Sequence, residues 1–304
     1  MNKPEYQISL ILTGLILIAC GKTSVSIDES TYEPKIVVIG YLYPHTPVRN
    51  IYIRRNFPVG TTVDFNQIPL WDANARITDI ETNSIYRLTY DAISANFYYR
   101  QDDLIIEYGK SYRLDVTAEI DGSLLQASST TNVPDAGLKI DPENSIYGDL
   151  YYRQKDSTGA LISPRVAYSQ SENTAFYLLS VSGLNASKET FIYENPFNFD
   201  IQEALDGGAK IEDFQYSARW TRPEKQADEF SVIELTWFQI WFYSPYRLIL
   251  YAGDQNFYHF YTTHRDVQEI DGNLHEPLFD IDGDGIGVFG SAVVDTIYMN
   301  ILKK

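Results

Sequence analysis

Thiol chemistry is almost absent from this chain: it holds a single cysteine, Cys20, in 304 residues. If that cysteine is consumed, no disulfide, CxxC redox pair or thiolate nucleophile is left. The four histidines (His45, His259, His264 and His275) are scattered, with no HExxH pair. No GxSxG elbow and no P-loop occur, and no repeat or heptad is visible. Basic residues are scarce, 24 Lys and Arg against 41 Asp and Glu, for a net charge of −17. So acidic a chain is repelled by nucleic acid and by anionic lipid, which removes both as direct ligands. Carboxylates are too numerous for any two to be singled out as a glycosidase pair. These absences leave no positive sign of an enzyme, and a non-enzymatic protein without a cofactor is expected, a structural calcium aside.

One apolar run stands near the beginning, Ile8–Ala19 (ISLILTGLILIA), with Lys3 in front of it. Twelve residues are too few for a permanent membrane helix and suit the core of a secretory signal. The run ends in Leu17-Ile18-Ala19-Cys20, which has the form of a bacterial lipobox: a small residue, then the Cys whose sulfur receives diacylglycerol. Residues 1–19 therefore read as a signal peptide, Cys20 as the lipidation site and residues 20–34 as a polar tether. Removing the signal leaves 285 residues, enough to hold together by burial alone. Membrane attachment then rests on acyl chains such as palmitate, several of which anchor stably where one would be marginal.

The rest of the chain is rich in rings, with 24 Tyr, 15 Phe and 4 Trp. Such residues favour strands, and they also suit binding surfaces where an apolar ring carries a polar tip. Lys35–Leu42 reads as a buried strand and Asn50–Arg54 as the next. The clearest alternation is Tyr112–Ile120, with Tyr112, Leu114, Val116, Ala118 and Ile120 on one face and charged or polar residues on the other. Asp121-Gly122 then supplies a tight hairpin turn and Leu124–Thr131 returns. Shorter strands are expected at Ala75–Ile80, Ile85–Tyr90 and Asn96–Arg100, and Pro134-Asp135 closes a first β-sandwich over residues 35–134. Residues 135–304 form a second β-rich domain. Within it, 135–165 reads as a connection, Ala175–Ser182 as a central strand, and 195–228 as an irregular excursion that is a candidate contact loop. Phe230–Tyr243 reads as a long strand or bent strand pair, Tyr246–Tyr251 as its return, and Val293–Ile301 as the last strand. One helix is expected, near 254–268, opened by Asp254 as N-cap, with Phe257, Phe260, Tyr261 and His264 on one face.

Three stretches carry candidate chemistry. Asp280, Asp282 and Asp284 alternate before Gly285 and could wrap calcium, although the EF-hand pattern fails because Ser291 stands where the bidentate Glu belongs. Gly285–Gly290 is formally a GxGxxG, but no βαβ unit surrounds it and a dinucleotide site is rejected. Trp237, Trp241 and Tyr246, with Tyr243 and Tyr251, could form an aromatic ligand platform, against the simpler reading that alternation buries most of them. His264 is read as a packed residue at the core edge.

Several of these stretches together resemble a known family. The lipobox, Pro34–Gly40 (PKIVVIG), Tyr112–Ile120 with its Asp-Gly turn and Val133-Pro134-Asp135 are similar to the first half of a Bacteroidota lipoprotein family, a domain of unknown function (number four-two-four-nine). Ala175–Val181, Asp254–Gln268 and Asn273–Gly290 resemble its Tyr-rich strand, Tyr-rich helix and glycine-rich ending. The resemblance implies two β-rich domains, the first immunoglobulin- or transthyretin-like, in an outer-membrane lipoprotein often encoded beside a TonB-dependent transporter. It carries no catalytic residue across, and the three Asp of the ending depart from the family pattern, so calcium has no support there. The expected function is a non-enzymatic accessory or ligand-binding partner of such a transporter. The alternative is a free-standing surface module that binds carbohydrate or acts as an adhesin.

Overall fold

The computed structural model describes residues 32–196, 198–224, 230–264 and 277–304. Cys20 with its leader, most of the tether, His275, and the part of the expected helix beyond 264 lie outside the described residues. Residues 34–56 and 63–304 form one compact unit; 1–33 with 57–62 form another, of which a turn closed by Thr61 N–H to Pro58 O is described.

The large unit is mainly β. Its elements are β1 (Ile36–Leu42), β2 (Tyr52–Arg55), β3 (Asn74–Asp79), β4 (Ile85–Arg87), β5 (Thr89–Asp91), β6 (Asn96–Tyr98), β7 (Ser111–Ile120), β8 (Ser123–Asn132), β9 (Lys139–Ile146), β10 (Gly148–Tyr151), β11 (Arg165–Ser169) and β12 (Phe176–Gly183). There follow α1 (Asn198–Asp206), β13 (Tyr216–Thr221), β14 (Ser231–Glu234), β15 (Pro245–Gly253), α2 (Gln255–Thr263), β16 (Asp282–Gly283) and β17 (Gly285–Leu302). Among the described residues no helix is long and apolar enough to cross a membrane.

A seven-stranded sheet ordered β13-β12-β15-β17-β1-β2, with β10 also on β17, runs the length of the unit. Its spine is the 18-residue β17, which pairs parallel with β1 (Ile36 opposite Gly285) and antiparallel with β15 (Tyr251 opposite Val294). A five-stranded sheet, β16-β8-β7-β3-β4, and a three-stranded one, β14-β11-β9, complete the main layers. Phe289 belongs to a core built from residues 36–133, whereas Val293, Met299 and Ile301 belong to a core built from residues 140–301. All four are odd positions of one strand, so both cores lie end to end on one face of the large sheet.

The clearest alternating stretch behaves as its pattern requires. On β7, Tyr112, Leu114, Val116, Ala118 and Ile120 are buried, and Asp121 and Gly122 take φ of 52° and 79° in the hairpin turn. Asp254 caps α2, its carboxylate accepting from Phe257 N–H at 3.0 Å.

Four expectations need correction. Residues 139–151 are not connection but β9 and β10; β9 is held by Ile140 N–H donating to Asp295 Oδ2 at 2.8 Å and by pairing with β11. The described residues of 195–228 are no irregular excursion: they contain α1, bury Ile201 and Ile211, and supply the edge strand β13, while 197 and 225–228 lie outside the described residues. Phe230–Tyr243 is not a long strand, because Thr236 N–H donates to Gln239 Oε1 at 3.1 Å and starts a 3-10 turn over Trp237–Gln239. Finally, the last strand, expected at Val293–Ile301, already begins at Gly285 and takes in the glycine run 285–290. At Gly287, φ is +109° and a Cβ would lie 2.0 Å from Val38 O, so only glycine lets β17 run this close to β1.

Three buried tyrosines share one job. Tyr112 Oη accepts from Glu107 N–H (3.0 Å) and donates to Ile105 O (3.1 Å). Tyr177 Oη accepts from Ser171 N–H (2.8 Å) and donates to Ser171 O (3.1 Å). Tyr246 Oη accepts from Phe242 N–H (2.8 Å) and Trp241 N–H (3.2 Å) and donates to Phe242 O (3.2 Å). Each phenol pins the loop that leads into its own strand, the arrangement of a tyrosine corner.

Candidate binding groove

The other face of the large sheet carries α2 and a concentration of tyrosines. The helix can sit close because β17 has glycine beneath it: a Cβ on Gly290 would lie 3.0 Å from Asp254 Oδ1 and 3.2 Å from Phe257 N. Its N-terminus is fixed by Asp254, only 3% exposed, whose carboxylate takes Phe257 N–H, Ser291 N–H (3.2 Å) and Thr131 Oγ1 (2.6 Å). Burial outweighs these hydrogen bonds and pushes the Asp254 carboxyl up to about 6. One turn on, Asn256 Nδ2 donates to Thr130 O (2.9 Å) and Phe289 O (2.8 Å), and His259 Nδ1 pairs with Asp280 Oδ2 at 2.9 Å. The helix is thus bolted to β8 and β17 by polar groups on one side, while Phe257 and Tyr261 pack on Phe176 on the other.

Beside it opens a groove of about 360 Å³ lined by Tyr41, Tyr43, Tyr216, Tyr251, Phe257 and Tyr261, floored by Leu178, Ser180 and Ala218. A wider groove of about 640 Å³ continues past Tyr41 and Tyr43 to Ile39, Tyr52 and the loop Thr46–Asn50. Tyr41 packs on Phe257 with ring centroids 4.6 Å apart. Burial raises the Tyr41 phenol well above its ordinary value and the Tyr43 phenol to about 12, so both stay neutral in any physiological medium. Among the described residues the hydroxyls of Tyr41, Tyr43 and Tyr251 have no hydrogen-bond partner. Among the described residues no carboxylate lines either groove, and Arg49 is the one charged side chain along the pair. In a chain of net −17 this is a neutral, aromatic strip whose hydroxyl tips on Tyr41, Tyr43 and Tyr251 are available to a ligand. Chemically it suits a ligand with apolar faces and uncharged polar edges.

Of the aromatic residues marked in the sequence, Tyr251 lines this groove and the others fall elsewhere. Trp237 is buried, its Nε1–H donating to Ile162 O at 3.0 Å. Trp241 is half-buried and stacks on Phe191, and Tyr246 is the loop pin described above. They do not form an exposed platform, because the 3-10 turn at Trp237 breaks the strand alternation and rolls the rings into the core. The three aspartates are not brought together either. Asp280 holds His259 on α2, Asp284 Oδ2 accepts from Gln126 N–H of β8 at 3.1 Å, and Asp282 is exposed on β16, where its backbone pairs with Ser128 of β8. Among the described residues no group of three or more His, Cys, Asp or Glu is placed to hold a metal ion. His264 stacks on Phe260, with centroids 4.2 Å apart, and its Nδ1 lies 2.6 Å from Phe260 O. Tyr251 was marked as part of the aromatic band and Tyr261 only as a helix-face residue, while Tyr41, Tyr43 and Tyr216 went unmarked because the lining comes from several elements; the further signal available was Ile39, Tyr41 and Tyr43 at period two.

A comparison with curated proteins returns no match. The model of a protein family described as Domain of unknown function (DUF4249) matches residues 22–297, and the chain belongs to that family.

Proposed function

We propose that this protein is a non-enzymatic lipoprotein, anchored in the outer membrane through lipid on Cys20, that acts as an accessory or ligand-binding partner of a TonB-dependent transporter. The anchor reading rests on the lipobox, and the transporter on the family resemblance. The observation that carries a binding role is the tyrosine groove: neutral phenols with unpartnered hydroxyls on a rigid sheet face, free of the negative charge that dominates the chain. Aromatic contacts supply affinity there, and the hydroxyls supply orientation. The test is a mild-detergent pull-down of the tagged protein from its own membranes, wild type beside Tyr41→Ser/Tyr251→Ser. A stoichiometric TonB-dependent transporter with the wild type, weakened by the groove variant, is expected; a lipoprotein travelling alone overturns the accessory role.

The same groove favours a second reading, a free-standing surface module for neutral carbohydrate. Stacking rings with hydroxyl tips serve a sugar ring as well as a peptide. Glycan-array binding that disappears in the groove variant, together with a lone lipoprotein in the pull-down, selects this reading.

A further inference from the structure

A second cleft, remote in character from the tyrosine groove, lies where β10 leads into the loop beside the end of β17. It measures about 370 Å³, at the small end of ligand pockets, and is lined by Tyr152, Arg153, Lys155, Glu194, Tyr243 and Lys304. Among the described residues three cationic side chains face one acidic side chain, in a protein of net −17, so the side chains make the cleft locally positive. Its inner wall is Tyr152, which is only 7% exposed and whose hydroxyl is buried with no hydrogen-bond partner. A buried hydroxyl left unpaired is costly and calls for a partner. The ring cannot swing away to find one. It is wedged edge-on against Trp237 (5.4 Å) and Tyr243 (6.0 Å), and its N–H is tied to Leu302 O at 3.0 Å. Burial pushes the phenol up to about 12, so it is a donor at neutral pH. Arg153 and Glu194 are its nearest charged influences, of opposite sign. Arg153 itself takes φ of 52°, a left-handed conformation uncommon for a side chain of its size, in the turn closed by Gln154 N–H to Tyr151 O. Among the described residues Glu194 is held only by a long 3.5 Å contact from the Tyr243 hydroxyl, which leaves acceptor capacity free.

We propose that this cleft is a binding site for a small hydroxylated anion, an acidic sugar of the uronate or sugar-phosphate class. The cations take the anionic group, Glu194 accepts from ligand hydroxyls, and Tyr152 Oη donates the hydrogen bond it lacks in the free protein. The test is calorimetric titration of the detergent-solubilised full chain with D-glucuronate, D-glucose 6-phosphate and D-glucose, with tryptophan emission followed in parallel because Trp237 touches Tyr152. At least one anion should bind ten times or more tighter than glucose, and the better of the two identifies carboxylate or phosphate as the recognised group. Tyr152→Phe should weaken that anion about fivefold without lowering the urea midpoint, since it deletes an unpaired group. Arg153→Gln/Lys155→Gln should erase the preference over glucose. The proposal is overturned if neither anion binds better than glucose, or if the preference survives both variants unchanged.

Discussion

Asp254 should make this protein less stable as pH rises through the weakly acidic range, which is opposite to the usual effect of a native carboxylate. Its folded pKa, about 6, stands above the ordinary 3.8, with burial the leading cause. Below pH 3.8 both folded and unfolded states hold the proton and the group contributes nothing to the difference. As pH climbs past that point the unfolded carboxyl ionises while the folded one keeps its proton. The folded state therefore binds more protons and loses relative stability until it too ionises, above about pH 6. At about 1.36 kcal/mol per pH unit the full loss is about 3 kcal/mol. About 2 kcal/mol of it falls between pH 4.5 and 7.5. Asp254→Asn isolates the effect. The amide oxygen can still accept from Phe257 and Ser291, and the amide NH2 can donate to Thr131 Oγ1, which turns its own hydrogen toward Ser291 Oγ, 2.7 Å away. Urea unfolding of both proteins at four values from pH 4.5 to 7.5 gives the difference in free energy at each, with constant slope m as the control. The wild type should lose about 2 kcal/mol against the variant over that span. Parallel profiles, within about 0.5 kcal/mol, would refute the claim that burial outweighs the three hydrogen bonds.

Tyr246→Phe should cost about 3 kcal/mol in the same assay, because two buried N–H groups and Phe242 O lose their partner together; a cost below 1 kcal/mol would mean the loop satisfies itself. Gly287→Ala should be worse, since a Cβ there meets the Val38 carbonyl at a distance no side-chain shift relieves, and the readout is failure to give a cooperative unfolding transition. Asp121→Asn, which keeps the turn and removes the ion pair with the Arg55 guanidinium, should change stability by less than about 1 kcal/mol because Asp121 is half exposed. Any larger loss would show that the pair does more than sit on the surface.

What could be read in advance depended on whether a segment's structure is set by its own residues. The hairpin β7–β8 was legible because alternation and an Asp-Gly turn agree, and α2 because Asp254 and its apolar face agree. β9 was not: Asp141-Pro142-Glu143-Asn144-Ser145 looks like a loop, and becomes strand only because Asp295 and β11 supply its partners. The glycines of β17 likewise argue locally against a strand, and only the closeness of Val38 and of α2 explains them. At Thr236 the signal was local and available, as a Thr-x-x-Gln capping pattern inside an apolar run. The tyrosine groove was illegible for another reason: Tyr41 and Tyr251 are neighbours through a sheet that no single window of sequence contains.

The parallel pairing of Ile36 with Gly285 also sets the order in which the molecule can be assembled. β1 is made long before β17, yet β1 finds one of its two flanking strands only in β17, and both cores wait for side chains from it. Neither half can reach its final form while the last strand is missing, and pairings of such long sequence separation are intrinsically slow. Under the proposed export that delay is useful: a chain that cannot close early stays threadable until it has crossed the membrane. The glycines that admit β17 beside β1 are therefore also a timing device, since they defer the closing move until β17 has been made.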